Sequence, residues 1–264
     1  MARSRPSFSL LVLGAALYAF LYAPLAVVVI YSFNASRLNA EWVGFTLHWY
    51  QVLLGDGEML KAAGNSLLIA LACSLLATLL GTLAAMALWR RRRPLLTGLV
   101  LGPVAVPEVL LGVSLLLAFV LLEISLGLVS ITLAHTVFAI GFVTVAVQAR
   151  LVGLDPALIE AARDLGASPW QAFRRVTLPL ILPGVLAGAL MAFTLSLDDF
   201  VVSFFTAGAD AATLPLKLYA MLKTGVTPVV NAVSTLLMLL TIGLIILAHR
   251  LTPGILKRDT GEAP

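Results

Sequence analysis

Charged side chains are scarce in this sequence: Asp, Glu, Lys and Arg make up 11% of its 264 residues, against about 25% in a typical soluble domain. So little polar surface cannot cover a water-facing fold. Cysteine occurs once, at Cys73, which rules out an intrachain disulfide, and no metal-ligand cluster accompanies it. The sequence contains no Gly-x-x-x-x-Gly-Lys-Ser/Thr phosphate loop, so the chain is not expected to hydrolyse ATP alone. No nucleophile–base or metal constellation suggests an enzyme, and no repeat, low-complexity segment or soluble domain is visible.

What the sequence has instead is apolar residues, 61% of the total, gathered into six runs: Phe8–Tyr31, Ser66–Trp89, Pro94–Leu122, Ile124–Ala149, Val176–Leu197 and Val226–Ala248. Each exceeds the roughly 20 residues a helix needs to cross a bilayer core of about 30 Å. With no water in the hydrocarbon, the backbone of such runs must pair within itself, which requires helices. Four runs carry no formal charge; the third contains Glu108 and the fifth ends at Asp198–Asp199. Only Glu123 separates the third run from the fourth. The first run follows Arg3 and Arg5, as a signal peptide would, but is too long for a signal core and lacks a small-residue cleavage site.

Alternation of six helices puts 13 of the 17 Lys and Arg residues on one side: Arg3, Arg5, Arg90 to Arg93, Arg150, Arg163, Arg174, Arg175, Arg250, Lys257 and Arg258. Arg37, Lys61, Lys217 and Lys223 fall on the other. Basic residues near span ends stay inside, so both termini are expected in the cytoplasm. The net charge of +4 thus reports topology, not nucleic-acid binding. The expectation is an all-α integral membrane protein, a single transmembrane domain over residues 1–264 with a patterned cytoplasmic loop at 150–177.

That loop predicts two short helices. Asp155-Pro156 reads as an N-cap with proline at the first helical position. The helix runs through Glu160-Ala161-Ala162 and stops at Gly166, suited to the left-handed residue after a helix. Ser168-Pro169-Trp170-Gln171 then has capping-box spacing. Ile159, Ala162, Leu165, Trp170 and Phe173 give the pair an apolar side. So small a pair forms no core alone; it rests on the bundle as a connector, on a partner, or on both.

A carboxylate at the centre of a span costs about 2.5–3.5 kcal/mol and is kept mainly where it faces a cavity or ion path. Glu108 follows Pro103 and Pro107, which should loosen its helix and free backbone carbonyls toward the interior. Asp198 and Asp199 lie about 20 residues past Leu178, roughly 30 Å along a helix, in the outer part of the membrane. They either line the path or sit at a solvated interfacial helix end. Adjacent residues point about 100° apart on a helix, so one of the two is expected to face the path. Three carboxylates without an internal cation suit a cationic solute. His135 and Gln148 are read as interhelical hydrogen-bonding groups, and Gly98-xxx-Gly102 and Gly184-xxx-Gly188 as close-packing sites. Trp42, Trp49 and Tyr50 are read as membrane-surface residues, and Leu214–Lys223 as a short outer helix.

Glu160-Ala161-Ala162, Gly166 and Val176-Thr177-Leu178-Pro179 resemble the EAA loop of ABC-importer permeases. Every spacing of that pattern fits, with Val176 where isoleucine is usual. The resemblance implies a type I ABC-importer permease-like bundle in a bacterial cytoplasmic (inner) membrane. It implies that Glu160, Ala161, Ala162 and Gly166 form the site coupled to an ATPase. It also implies the partners: a cytoplasmic ATPase dimer, a second and different permease chain, and a periplasmic solute-binding protein docking on the outer loops. ATP and Mg would be held by the ATPase, with no cofactor in this chain. Ser32-Phe33-Asn34-Ala35-Ser36-Arg37, Phe45-Thr46-Leu47-His48-Trp49-Tyr50, Phe193 to Asp199 and Leu214-Pro215-Leu216-Lys217 further resemble polyamine-importer permeases, in particular the second permease subunit of spermidine/putrescine systems. That implies polyamine import by alternating access, with Glu108, Asp198 and Asp199 along the path. The competing readings are an importer permease for another solute and an ion-coupled secondary transporter, although the latter usually shows internal repeats.

Overall fold

The structure, a computed structural model, describes residues 8–37, 41–90, 93–225 and 227–251. Arg3, Arg5, Arg91, Arg92, Lys257 and Arg258, which carry much of the orientation expectation, lie outside the described residues. Among the described residues the elements are helical: α1 (Phe8–Tyr31), α2 (His48–Gly55), α3 (Gly57–Arg90), α4 (Pro94–Ala105), α5 (Glu108–Leu121), α6 (Leu128–Leu151), α7 (Ala157–Asp164), α8 (Pro169–Ala172), α9 (Leu178–Asp198), α10 (Val201–Thr206), α11 (Leu214–Thr224) and α12 (Pro228–Leu251). One π turn, Phe173–Thr177, joins α8 to α9, and an isolated antiparallel bridge pairs Asn34 with Phe45.

Four helical stretches among these residues are long and apolar enough to cross a bilayer: Ser9–Tyr31, Gly57–Trp89, Leu128–Leu151 and Pro169–Asp198. The third apolar run departs from expectation. It is not one loosened helix but two, α4 and α5, bent by 115°. Taken as one broken span, the pair makes a fifth crossing. The break falls at Val106–Pro107, not at Pro103, which stays inside α4. A residue before proline is driven out of the helical region, and Val106 is extended at ψ 135°. The turn after α5 includes Glu123 in the left-handed region at φ 55°, so the narrow gap between the third and fourth runs is a true boundary.

The chain divides into two compact units, Met1–Leu60 with Leu218–Thr241, and Lys61–Lys217 with Ile242–Pro264. In the first, the segment after α1 is knotted around Asn34. Its side-chain amide donates to the Glu41 carbonyl at 2.7 Å and accepts from the Val43 N–H at 3.0 Å. The Trp49 indole donates to the Asn34 carbonyl at 2.7 Å, and the Tyr50 and Ser32 hydroxyls meet at 2.8 Å. The polar ends of Trp49 and Tyr50 are therefore used within the loop, while Trp42 stays half exposed.

In the second unit α6 is the hub, with α3, α4 and α9 packed against it through glycine. A Cβ on Gly184 would meet the Ala146 carbonyl at 2.9 Å, one on Gly188 the Val143 Cα at 3.2 Å, and one on Gly81 the Ile140 carbonyl at 2.9 Å. Small residues let backbones approach where lipid supplies no hydrophobic drive. Gly184-xxx-Gly188 thus packs as expected, but Gly98-xxx-Gly102 does not: a Cβ at either would touch nothing within 4 Å. The α4–α6 contact instead uses Gly141, against the Val100 carbonyl at 2.9 Å. Cross-helix hydrogen bonds add to this packing, with the Ser74 hydroxyl donating to the Ala189 carbonyl at 2.7 Å. Gly184→Leu should therefore overpack the α6–α9 contact at a cost of about 1–3 kcal/mol and lower the melting temperature of the purified chain. Gly98→Leu, pointing into open space, should leave it unchanged.

Candidate functional site

Two features of the second unit carry the residues singled out above. The first is a cavity of about 350 Å³ built where two helix breaks meet. Glu108 is the first residue of α5, directly after the Val106–Pro107 break. Asp198 is the last residue of α9, directly before the extended Asp199. Glu108, Asp198 and Asp199 all border the cavity, together with Phe138 and Phe142 of α6 and Phe200. Among the described residues, its wall contains no Lys or Arg.

The two aspartates have different surroundings. Asp199 is pinned: its carboxylate accepts from the Ser203 N–H at 2.8 Å and the Val202 N–H at 3.3 Å, capping α10, and lies 3.0 Å from His135 Nε2. Its side chain is 6% exposed. Asp198 is exposed, as is Glu108. A cavity with two accessible carboxylates and three aromatic rings suits a ligand that is both cationic and partly apolar, because ring faces also attract cations. The sequence had not singled out Phe138, Phe142 or Phe200; inside apolar runs they are indistinguishable from packing residues. His135 does bond between elements, as expected.

The second feature is the loop between α6 and α9. Asp155 caps α7, its carboxylate accepting from the Ala157 N–H at 2.9 Å. The end of α7 is a Schellman closure: Ala167 N–H donates to the Ala162 carbonyl at 3.0 Å and Gly166 N–H to the Arg163 carbonyl at 2.9 Å, which requires the left-handed φ of 84° at Gly166. The Ser168–Gln171 capping box forms, with Gln171 N–H to Ser168 Oγ at 3.3 Å and Ser168 N–H to Gln171 Oε1 at 2.9 Å. The second short helix is not separate, however. Through the π turn it runs into α9, giving one 30-residue helix, Pro169–Asp198, about 45 Å long. The loop and the cavity thus lie at opposite ends of one rod.

Glu160 and Ala161 are exposed and Ala162 half-buried. Ile159 packs on the core around Leu151, Leu154 and Ile181. Leu165 and Trp170, expected on the same apolar side, are 89% and 65% exposed. Leu165, six residues after Ile159 at the end of α7, lies about 120° around the helix from it, and Trp170 follows the turn at Gly166.

Residues 77–257 match the family described as binding-protein-dependent transport system inner membrane component. The chain belongs to that family. It is 42% identical over 250 residues to the spermidine/putrescine transport system permease protein PotC of Escherichia coli K12, covering 94% of this chain and 95% of the relative. It is 41% identical over 248 residues to the putrescine transport system permease protein PotI of the same organism, covering 90% and 87%. In fold it is similar to a chain of a bacterial ABC transporter involved in import of the acidic polysaccharide alginate, with TM-score 0.71 at 16% identity over 94% of this chain and 95% of that one. This inner-membrane component therefore has the ABC-importer permease fold, and it lies in the inner membrane with several spans.

Proposed function

We propose that this chain is the permease subunit through which an ATP-driven importer moves polyamines, spermidine or putrescine, into the cell. The observation that carries the reading is the pair of accessible carboxylates, Glu108 and Asp198, facing one aromatic-walled cavity, in a chain 42% identical to a spermidine/putrescine permease. Polyamines present ammonium groups separated by methylenes, and carboxylates with ring faces answer both. The whole chain acts as one transmembrane domain of six spans, α12 being the sixth, with both termini cytoplasmic. Glu108 and Asp198 contact solute, while Asp199 supports the path from behind.

Energy enters through the loop. Glu160, Ala161, Ala162 and Gly166 dock on a cytoplasmic ATPase dimer, which holds ATP and Mg. Exposed Leu165 and Trp170 add apolar area to that contact. Displacement of α7 crosses the Gly166 turn to α8, passes through the π turn into α9 and reaches the break at Asp198–Asp199. A second, different permease chain completes the path, and a periplasmic binding protein delivers solute on the outer side. One solved fold neighbour is an alginate transporter in complex with a substrate-bound periplasmic protein.

Purification of the tagged chain from its native membrane should recover an ATPase subunit, and the reconstituted complex should take up labelled spermidine or putrescine only with ATP and binding protein. Competition between the two amines assigns the preferred solute. Transport by the chain alone, driven by an ion gradient, would overturn the reading.

A further inference from the structure

His135 is fully buried, and its imidazole bonds three residues that flank one helix break. Nδ1 lies 2.7 Å from the Ser196 hydroxyl in the last turn of α9. Nε2 lies 3.0 Å from Asp199 Oδ2 at the break and 3.0 Å from the Ser203 hydroxyl in the first turn of α10. A carboxylate only accepts, so Nε2 carries a proton toward Asp199. With the Ser203 and Val202 N–H groups also bound, the Asp199 carboxylate holds three donors, and with its side chain only 6% exposed it offers the cavity it borders little free surface. Its chain neighbour Asp198, the last residue of α9, is exposed and borders the cavity together with Glu108.

We propose that His135 is a positioning residue for solute selection: from α6 it locks the α9–α10 break so that Asp199 is withheld and Asp198 is presented. It touches no solute itself. This rests on the cavity being the solute path. Loss of the imidazole frees the break and leaves Asp199 without its imidazole donor, so Asp198 loses its fixed direction and binding weakens before transport capacity does.

The test uses the complete transporter with its binding protein and ATPase, and labelled putrescine as probe. His135→Leu should raise KM about tenfold or more, the scale of a lost charge-assisted contact, with the maximal rate per inserted transporter held within about twofold. His135→Gln, which retains an N–H for Asp199, should restore KM to within about threefold of the parent. Ser196→Ala, a milder change, should raise it by an intermediate amount, and it keeps the test open if His135→Leu fails to insert. If these variants lower membrane level and maximal rate together and leave KM unchanged, His135 is only structural and the proposal is overturned. Asp198→Asn separates the two ideas. If it raises KM while correctly inserted His135 variants do not, positioning fails but the path stands; if it too leaves KM unchanged, positioning fails, and if Glu108→Gln also leaves KM unchanged the path reading itself fails.

Discussion

Replacing Gly166 by valine is expected to abolish ATP-driven uptake while the chain still inserts in normal amount. Gly166 holds φ at 84°, a region in which a β-branched residue is a true outlier, and the two bonds that close α7 depend on that conformation. The strain of about 1–3 kcal/mol falls on a segment that packs on the bundle chiefly through Ile159, so the spans keep their own contacts. Space is not the obstacle, since a Cβ there would touch nothing within 4 Å; the obstacle is the backbone. Relaxing φ swings α7 relative to α8 and misdirects Glu160 and Ala161. The readouts are uptake into proteoliposomes, ATP hydrolysis by the same complex and membrane level by immunoblot. The expected pattern is lost uptake, ATP hydrolysis no longer stimulated by binding protein, and unchanged level. Full uptake by Gly166→Val would remove the coupling assignment. Gly166→Asn, a residue that tolerates the left-handed region, should retain much of the activity.

The loop was legible because its signals are local. Asp155, Gly166, Ser168 and Gln171 each act on backbone groups within three or four residues, and every cap they announce forms. The apolar runs were legible as helices for the same reason, because length and composition alone demand internal pairing. The bend at Val106–Pro107 was not. Pro103 and Pro107 each allow a break, and only the packing of α4 against Gly141 on one side and of α5 against α10 on the other determines which one opens. Gly98-xxx-Gly102 shows the same limit: a small-residue pair permits close approach but does not name a neighbour. Leu165 and Trp170 look like core in sequence and are 89% and 65% exposed in this chain. The different surroundings of Asp198 and Asp199 rest partly on local bonds from Val202 and Ser203 and partly on His135, which also bonds Ser203, 68 residues away. The local caps are readable in sequence; the imidazole contact is not.

That difference leads to the second large effect. Asp198→Asn should reduce polyamine uptake by one to two orders of magnitude, about the worth of a hydrogen-bonded ammonium–carboxylate contact in a partly dehydrated site. The substitution removes charge but little volume, and Asp198 is exposed to the cavity, so insertion and folding should be unaffected. Glu108→Gln should act similarly, because Glu108 borders the same cavity from α5. The double variant should lose both anchors and fall below detection. Asp199→Asn should behave differently. An amide can still accept from the Ser203 N–H, yet it weakens the bond to His135 and the cap on α10, so its loss should appear as lower thermal stability as well as lower uptake. Comparing KM, maximal rate and melting temperature across the three single variants separates solute contact from support. A KM unchanged in both Asp198→Asn and Glu108→Gln would show that the ammonium groups cross elsewhere, and the carboxylates at the two breaks would then be features of packing alone.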